Sequence, residues 1–560
     1  MKLSTSIFLI AFSLLNFLGT SNIQAKELPC PIEITNDSLQ FGTVYTGDVA
    51  LRSVSITNRS NQTITIDTAF IYSRWSVFTC SLPKPIQVEP NQTKDITISF
   101  KSPHNLTHVG HVLFRISCPV MTYSTAVYMQ AKAQYAESEF AFTQNLEGQE
   151  LFTALNKYLN ESLMFSYSDA RQFMFSKADN VNGTVECIYS GRTIQTTGIP
   201  NINIFNTEHS WPQSKGADQE PARSDVYIIY PADSKANERR SNHPYGVVSR
   251  GISWESGGSK LGLPQASADT VFEPRNAVKG NIARSMLYFA TRYGNRKGTF
   301  DQSGFLTNME SIIRAWNKQD PVDERERNRA ISIASAQKRM NPYIAYPEMI
   351  DRIFKLSTQP AFPLYPEPVT DPIGVYASII SDDSIIVRIP IINEGNQALR
   401  ITSTEFRPAI STARVLSIDS NVAPASMTYA TILMKSPIQK STLLRIRFAD
   451  GIPTLAIPIS TEAVVSAISQ VNESDYFSAY PNPALPSEVQ TIVFSSSNIK
   501  NARFGMYDLK GFLLKDLTEE VIWTDQRGEL KIFHDSPGQL RVLRIQSNHH
   551  NSSTLLHTGF

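Results

Sequence analysis

Ile202-Asn-Ile-Phe205-Asn-Thr-Glu208-His209-Ser-Trp-Pro212 is the stretch on which the reading of this chain turns. The apolar run Ile202–Phe205 reads as a strand that ends on an acid–imidazole pair, and Pro212 forces the chain to turn. Asp225-Val-Tyr-Ile-Ile-Tyr230 reads as a second short strand. Pro231 and Asp233 then start a helix of about two turns that contains Asn237, Arg239 and Arg240. This order predicts a β-hairpin with a helix packed behind it. It brings Glu208 and Asn237 into one small space with His209 beside them.

That trio has a chemistry. Mg²⁺ prefers oxygen ligands, keeps several waters and needs only one or two protein ligands besides substrate phosphate. A carboxylate with an amide meets that need. Only His209 and His243 fall between residues 140 and 365, so the choice of an acid–base group near pH 7 is narrow. A neutral His209 can take a proton from an attacking water. A bound cation and a nearby arginine can balance charge developing on a phosphate. Spacing alone does not decide the matter, because a Glu-His pair ahead of a proline is most often a surface turn.

Five stretches, in order, resemble the bacterial endonuclease I family, whose core is the ββα-metal (His-Me) finger. They are Glu208-His209-Ser-Trp-Pro212; Asp225 to Asp233 with Asn237-Glu-Arg-Arg240-Ser-Asn242-His-Pro-Tyr-Gly246; Phe272-Glu-Pro274 with Lys279-Gly280-Asn281-Ile-Ala-Arg284; Trp316 to Asp323; and Asn341-Pro342 to Glu348. The resemblance implies that Glu208 and Asn237 hold the metal, that His209 is the base and that Arg240 contacts phosphate or orders Glu208. It implies architectural roles for Arg284, Asp320, Asn341 and Pro342. The chain departs from the family pattern at Tyr227, Asn281 and Tyr346. Those departures raise the alternative of an exported nucleic-acid-binding or surface adhesion protein with a degenerate nuclease domain.

Around this core the chain reads as multidomain. Residues 26–136 and 366–468 show short runs of period-2 alternation between polar turns, the pattern of an antiparallel β-sandwich. The two regions share an echo: Ile56-Thr-Asn58-Arg-Ser-Asn61-Gln62 aligns with Ile391-Ile-Asn393-Glu-Gly-Asn396-Gln397. With Phe41-Gly42-Thr43-Val44 and Gly47 ahead of it, the first copy resembles immunoglobulin-like ASH/hydin-type modules. Residues 140–362 carry helical periodicity at 149–159, 281–293, 309–317 and 324–340, and form the expected mixed α+β nuclease domain. Residues 472–560 return to short strands. Tyr480-Pro-Asn-Pro483 and Tyr507-Asp-Leu-Lys-Gly511 resemble the C-terminal sorting domain of type IX secretion.

Lys2 and the apolar run 7–18 read as a signal peptide at residues 1–25, too short to span a bilayer. No later run is long and apolar enough for a membrane anchor. A formal net charge of +1 over 560 residues rules out a global basic field. Four cysteines are too few for a disulfide scaffold. One bridge in the first domain fits an oxidising compartment, and Cys187 reads as a free buried thiol. His104, His108 and His111 read as a solvated loop, and the alternating charges of 323–329 as a solvated helix face. The expectation is a secreted monomeric nuclease acting on DNA or RNA with Mg²⁺ (or Ca²⁺ or Mn²⁺), exported through the machinery that reads its C-terminal domain.

Overall fold

The computed structural model describes residues 30–460, apart from 37, 83, 266, 295–303, 372–373, 378–383, 436–441, 450 and 453, and the strands between 476 and 557. The expected signal peptide at 1–25 and Pro481-Asn482-Pro483 lie outside the described residues. No helix among the described residues is long and apolar enough to cross a membrane.

Strong alternation makes the first region all β. Ile32–Ile34, Ala50–Asn58, Thr93–Phe100 and Phe78–Cys80 form one four-stranded sheet in that order. Ser38–Tyr45, Ile64–Tyr72, Ile86–Val88, Thr107–Cys118 and Met121–Gln134 belong to a second sheet of ten strands. That second sheet continues into the later β region through Val375–Ala377, whose Tyr376 and Ala377 pair with Thr122 and Met121. The two regions, expected as separate modules, thus share a sheet. They also share one apolar core, in which Val54, Phe100 and Val127 sit with Val387, Ile432 and Ile457. Buried Arg115 seals the junction by donating to Asp371 Oδ2 at 2.6 Å and to the Gly374 carbonyl at 2.7 Å.

The echoed asparagines do the same work in both copies. Asn58 Nδ2 donates to the carbonyls of Gln62 (2.7 Å) and Val88 (2.8 Å), and its Oδ1 accepts the Ser60 N–H. Asn393 Nδ2 donates to Gln397 (2.8 Å) and Val422 (3.0 Å), and its Oδ1 accepts the Gly395 N–H. Each fully buried side chain thereby satisfies two carbonyls with its own amide.

Cys30 and Cys118 form a disulfide, while Cys80 and buried Cys187 are free. Two expectations need correction. His104, His108 and His111 are buried rather than solvated. His108 and His111 lie on Thr107–Cys118, and His104 packs at a tilt against Trp75 with centroids 4.7 Å apart. The charge run 323–329 is only half solvated. Glu326 and Arg329, three residues apart on one helix face, turn inward to Arg284 and Asp179.

The region between the β regions holds helices α1 (Gly148–Asn160), α2 (Tyr167–Phe173), α3 (Ser234–Arg240), α4 (Lys279–Tyr293), α5 (Glu310–Gln319), α6 (Glu324–Gln337) and α7 (Pro342–Ala345). Helix α4 is almost wholly buried and forms the spine of a separate apolar core with Trp211, Tyr227, Ile313 and Ile333. Gly280 is required at its start, because a Cβ there would lie 2.0 Å from the Asp320 carbonyl oxygen. Asp320 Oδ2 in turn accepts the Gly280 N–H at 2.7 Å. Arg284 is fully buried and grips Glu326 with two nitrogens, which ties α4 to α6. Asn341 caps α7 by accepting the Tyr343 N–H, with Pro342 at the first helical position. The C-terminal stretch forms two four-stranded antiparallel sheets.

Candidate active site

Phe205–His209 pairs antiparallel with Ile229–Asp233, placing Glu208 opposite Tyr230 and His209 opposite Ile229. The second arm starts four residues later than the pattern Asp225–Tyr230 suggests. Asp225 is the reason. Its Oδ1 accepts the Tyr227 N–H and its carbonyl accepts the Ile228 N–H, which turns the chain instead of extending it. Its buried Oδ2 also takes the hydroxyls of Tyr288 (2.9 Å) and Tyr293 (2.7 Å) and the Arg292 guanidinium (2.6 Å). Pro231 lies within the strand, which a two-stranded sheet tolerates because an outer edge needs no N–H. Asp233 caps α3 by accepting from the N–H groups of Lys235 (3.0 Å) and Ala236 (3.3 Å). Helix α3 then packs on both strands.

Glu208 is buried at the end of the first arm. Its Oε1 accepts the Tyr189 hydroxyl at 2.7 Å and lies 3.2 Å from Arg240 Nε. Its Oε2 has no hydrogen-bond partner among the described residues. Burial pushes this carboxyl up to about 7, against the pull of Arg240 and the Tyr189 hydrogen bond. Burial also works against the Arg240 charge, but Tyr245, Glu208 and Tyr189 hold that guanidinium firmly protonated.

Arg240 is itself 1% exposed and committed to the protein. It donates to the carbonyls of Ser210 (2.6 Å) and Ser241 (2.8 Å), and its Cζ sits 4.8 Å over the Tyr245 ring. This geometry places Arg240 against Glu208 and turns its donors away from solvent. Asn237, one turn earlier on α3, is half-buried, and its amide has no hydrogen-bond partner among the described residues.

His209 Nε2 lies 2.9 Å from the Arg223 carbonyl. A carbonyl only accepts, so Nε2 carries the proton and Nδ1 keeps the lone pair. Gln213 Nε2 makes a long contact to that Nδ1 at 3.4 Å. Burial pushes the imidazole down to about 4, and the Arg223 and Arg240 charges add to that, so it is neutral at pH 7. His243, the other histidine of the domain, is partly exposed and lies beyond α3.

Tyr189 and Tyr245 were not visible as site residues in the sequence. Their hydroxyls meet at 2.8 Å, and Tyr245 also reaches the Ser210 carbonyl at 3.2 Å. Tyr245 falls within the quoted stretch ending at Gly246, whereas nothing local marks Tyr189. Tyr227 and Tyr346 sit in packing roles: the Tyr227 hydroxyl reaches the Ala330 and Arg339 carbonyls, and the Tyr346 ring stacks on Tyr135. The Asn281 carbonyl accepts from the Tyr230 hydroxyl at 3.4 Å.

The strand–strand–helix unit thus carries a buried carboxylate, a half-buried amide and a neutral imidazole oriented by a backbone carbonyl. Residues 137–348 match the family described as Endonuclease I, and the chain carries a domain of that family there. An extracellular ribonuclease of Bacillus subtilis is 27% identical over 258 residues, 42% of this chain and 86% of that protein. A periplasmic deoxyribonuclease of Aeromonas hydrophila is 27% identical over 134 residues, 23% of this chain and 51% of that protein. Among solved structures, an ASH / PapD-like domain of human CEP192 aligns at 15% identity with 22% of this chain and 99% of that chain; its TM-score of 0.19 assigns no fold here.

Proposed function

We propose that this protein is a secreted, metal-dependent nuclease that hydrolyses phosphodiester bonds of DNA or RNA. The observation that carries the reading is the state of His209: Nε2 tied to the Arg223 carbonyl, Nδ1 left basic, and the imidazole next in sequence to a carboxylate with a spare oxygen. The names of the matched relatives, an extracellular ribonuclease and a periplasmic deoxyribonuclease, support both the activity and the export.

His209 Nδ1 takes a proton from water as the water oxygen bonds to phosphorus, and the bond to the leaving sugar oxygen breaks. Glu208 Oε2 and the Asn237 amide oxygen fit a hard cation, Mg²⁺ or else Ca²⁺ or Mn²⁺, because both are oxygen donors without a hydrogen-bond partner among the described residues. Among the described residues no three His, Cys, Asp or Glu side chains gather as a metal cage, so the amide is part of the proposed ligand set. When bound, the cation supplies charge neutralisation at the phosphate oxygens. Arg240 acts through Glu208: it holds Oε1, which would leave Oε2 to hold a cation. The C-terminal sheets serve export, and the protein works as a monomer.

Purified protein with Mg²⁺ should cleave plasmid DNA or a structured RNA. His209→Ala should lower the rate about 10²- to 10⁴-fold with an unchanged circular dichroism spectrum. Equal rates for the two proteins would remove His209 from the mechanism. Binding without cleavage under Mg²⁺, Ca²⁺ and Mn²⁺ would leave a nucleic-acid-binding protein instead.

A further inference from the structure

Tyr167, the first residue of α2, lies nearly parallel to the His209 imidazole, with centroids 5.9 Å apart and planes inclined by 25°. Two arginines converge on the same tyrosine ring. Arg223 Cζ is 4.4 Å from its centroid and Arg171 Cζ is 5.8 Å away. Arg171 is braced by its Nε, which donates to Thr207 Oγ1 at 3.0 Å, one residue before Glu208. Arg223 is exposed and Arg171 half-buried.

Neither arginine forms an ion pair among the described residues. This sets them apart from Arg240, Arg284, Arg292 and Arg329, each of which faces a carboxylate. The nearby acids face serines instead, Glu220 taking the Ser224 hydroxyl at 2.6 Å and Asp169 the Ser166 hydroxyl at 2.7 Å, and neither pairs with these guanidiniums among the described residues. Two unneutralised cations on one ring repel each other, so packing alone gives no reason for the arrangement. A guanidinium stacked on a ring spends its face and keeps its N–H edge free, which suits a phosphate.

We propose that Arg223 and Arg171 form a phosphate clamp that grips the nucleic-acid backbone on the Tyr167 side of the imidazole. This rests on the nuclease reading. It gives Arg223 two tasks on one residue: its carbonyl orients the base, and its side chain holds the strand the base acts on. Substrate grip and base orientation are then mechanically linked.

The test is binding of a labelled single-stranded DNA, and of the RNA of the same sequence, to full-length His209→Ala protein over a range of salt. Adding Arg223→Met should weaken binding roughly fivefold and lower the slope of log affinity against log salt by about 0.7. Arg223→Lys should keep the slope and lose part of the affinity, because charge survives and the fork does not. Arg171→Met should lower the slope similarly. The charge-matched control Arg414→Met, on the later β region, should change neither. Unchanged affinity and slope in Arg223→Met, or an equal loss in Arg414→Met, would overturn the clamp. Wild-type cleavage measured alongside separates the two ideas. A protein that cleaves but shows no slope change loses only the clamp, and one that shows the slope change without cleaving loses only the nuclease reading.

Discussion

His209 Nε2 donates to the backbone carbonyl of Arg223 at 2.9 Å, so a residue fourteen positions downstream fixes which imidazole nitrogen is basic. Because a backbone carbonyl makes this bond, most substitutions at 223 leave it in place. The expected result is an Nε2–H tautomer at pH 7, in both the wild type and Arg223→Met. Nitrogen-15 correlation spectra of histidine-labelled protein report it directly. An Nδ1–H tautomer would disagree with the proposed base.

Tyr189 holds Glu208 through one hydroxyl. Tyr189→Phe removes that bond and the contact to Tyr245, while keeping the ring packed against Phe272. The Mg²⁺ concentration for half-maximal cleavage should rise about 10- to 100-fold, as expected when the partner of a ligand is lost. The melting temperature should move by only a few degrees. A large loss of stability with unchanged metal dependence would instead assign Tyr189 to packing.

Arg240 is bound up with stability as well as with the site. Arg240→Met leaves the Ser241 carbonyl without this donor, takes one of two donors from the Ser210 carbonyl and leaves Glu208 without its cation. Urea denaturation should show a loss of about 3 kcal/mol or more, because an unpaired buried charge is left behind. The pair Arg240→Met with Glu208→Gln should recover part of that stability and none of the activity. Equal losses in the single and double variants would mean that the pair is not coupled.

His111 predicts the acid behaviour of the first β region. It is buried edge-on against Tyr128, and burial pushes it down to about 4. The unfolded chain takes up a proton near pH 6.5, which the folded chain refuses until about 4. The stability His111 contributes is therefore complete above pH 6.5 and drains away as pH falls towards 4, by up to about 3 kcal/mol. His108, pushed down to about 4, and His104, pushed down to about 3, act in the same direction. His111→Phe should flatten the fall in melting temperature between pH 6.5 and 4.5, with little change at pH 8. An unchanged pH profile would show that His111 is already charged in the folded protein.

Local grammar made several of these features legible in the sequence. The Glu-His turn, the Asp233 cap and the helical periodicities of α1, α4, α5 and α6 are properties of short windows. So is the Asn58 and Asn393 echo, which the structure answers bond for bond. What stayed hidden needed pairing information. Tyr189 reaches Glu208 across 19 residues, and Asp225 is held by hydroxyls more than 60 residues away. Alternation marked residues 26–136 and 366–468 as β regions, and not that strands 121–134 and 375–377 lie side by side. The alternating charges of 323–329 misled because sign and hydropathy were read without the helix face on which Glu326 and Arg329 sit.

The chain leaves the long sheet after Gln134 and rejoins it at Val375, beside the strand it left. The intervening region, which holds the candidate site, is therefore a loop of about 240 residues tethered at both ends to one frame. While the frame holds, unfolding this unit yields a ring rather than a free coil, and closing a ring of that length forgoes several kcal/mol of chain entropy. Excised from its frame, the same polypeptide should melt earlier even though every contact inside it is retained.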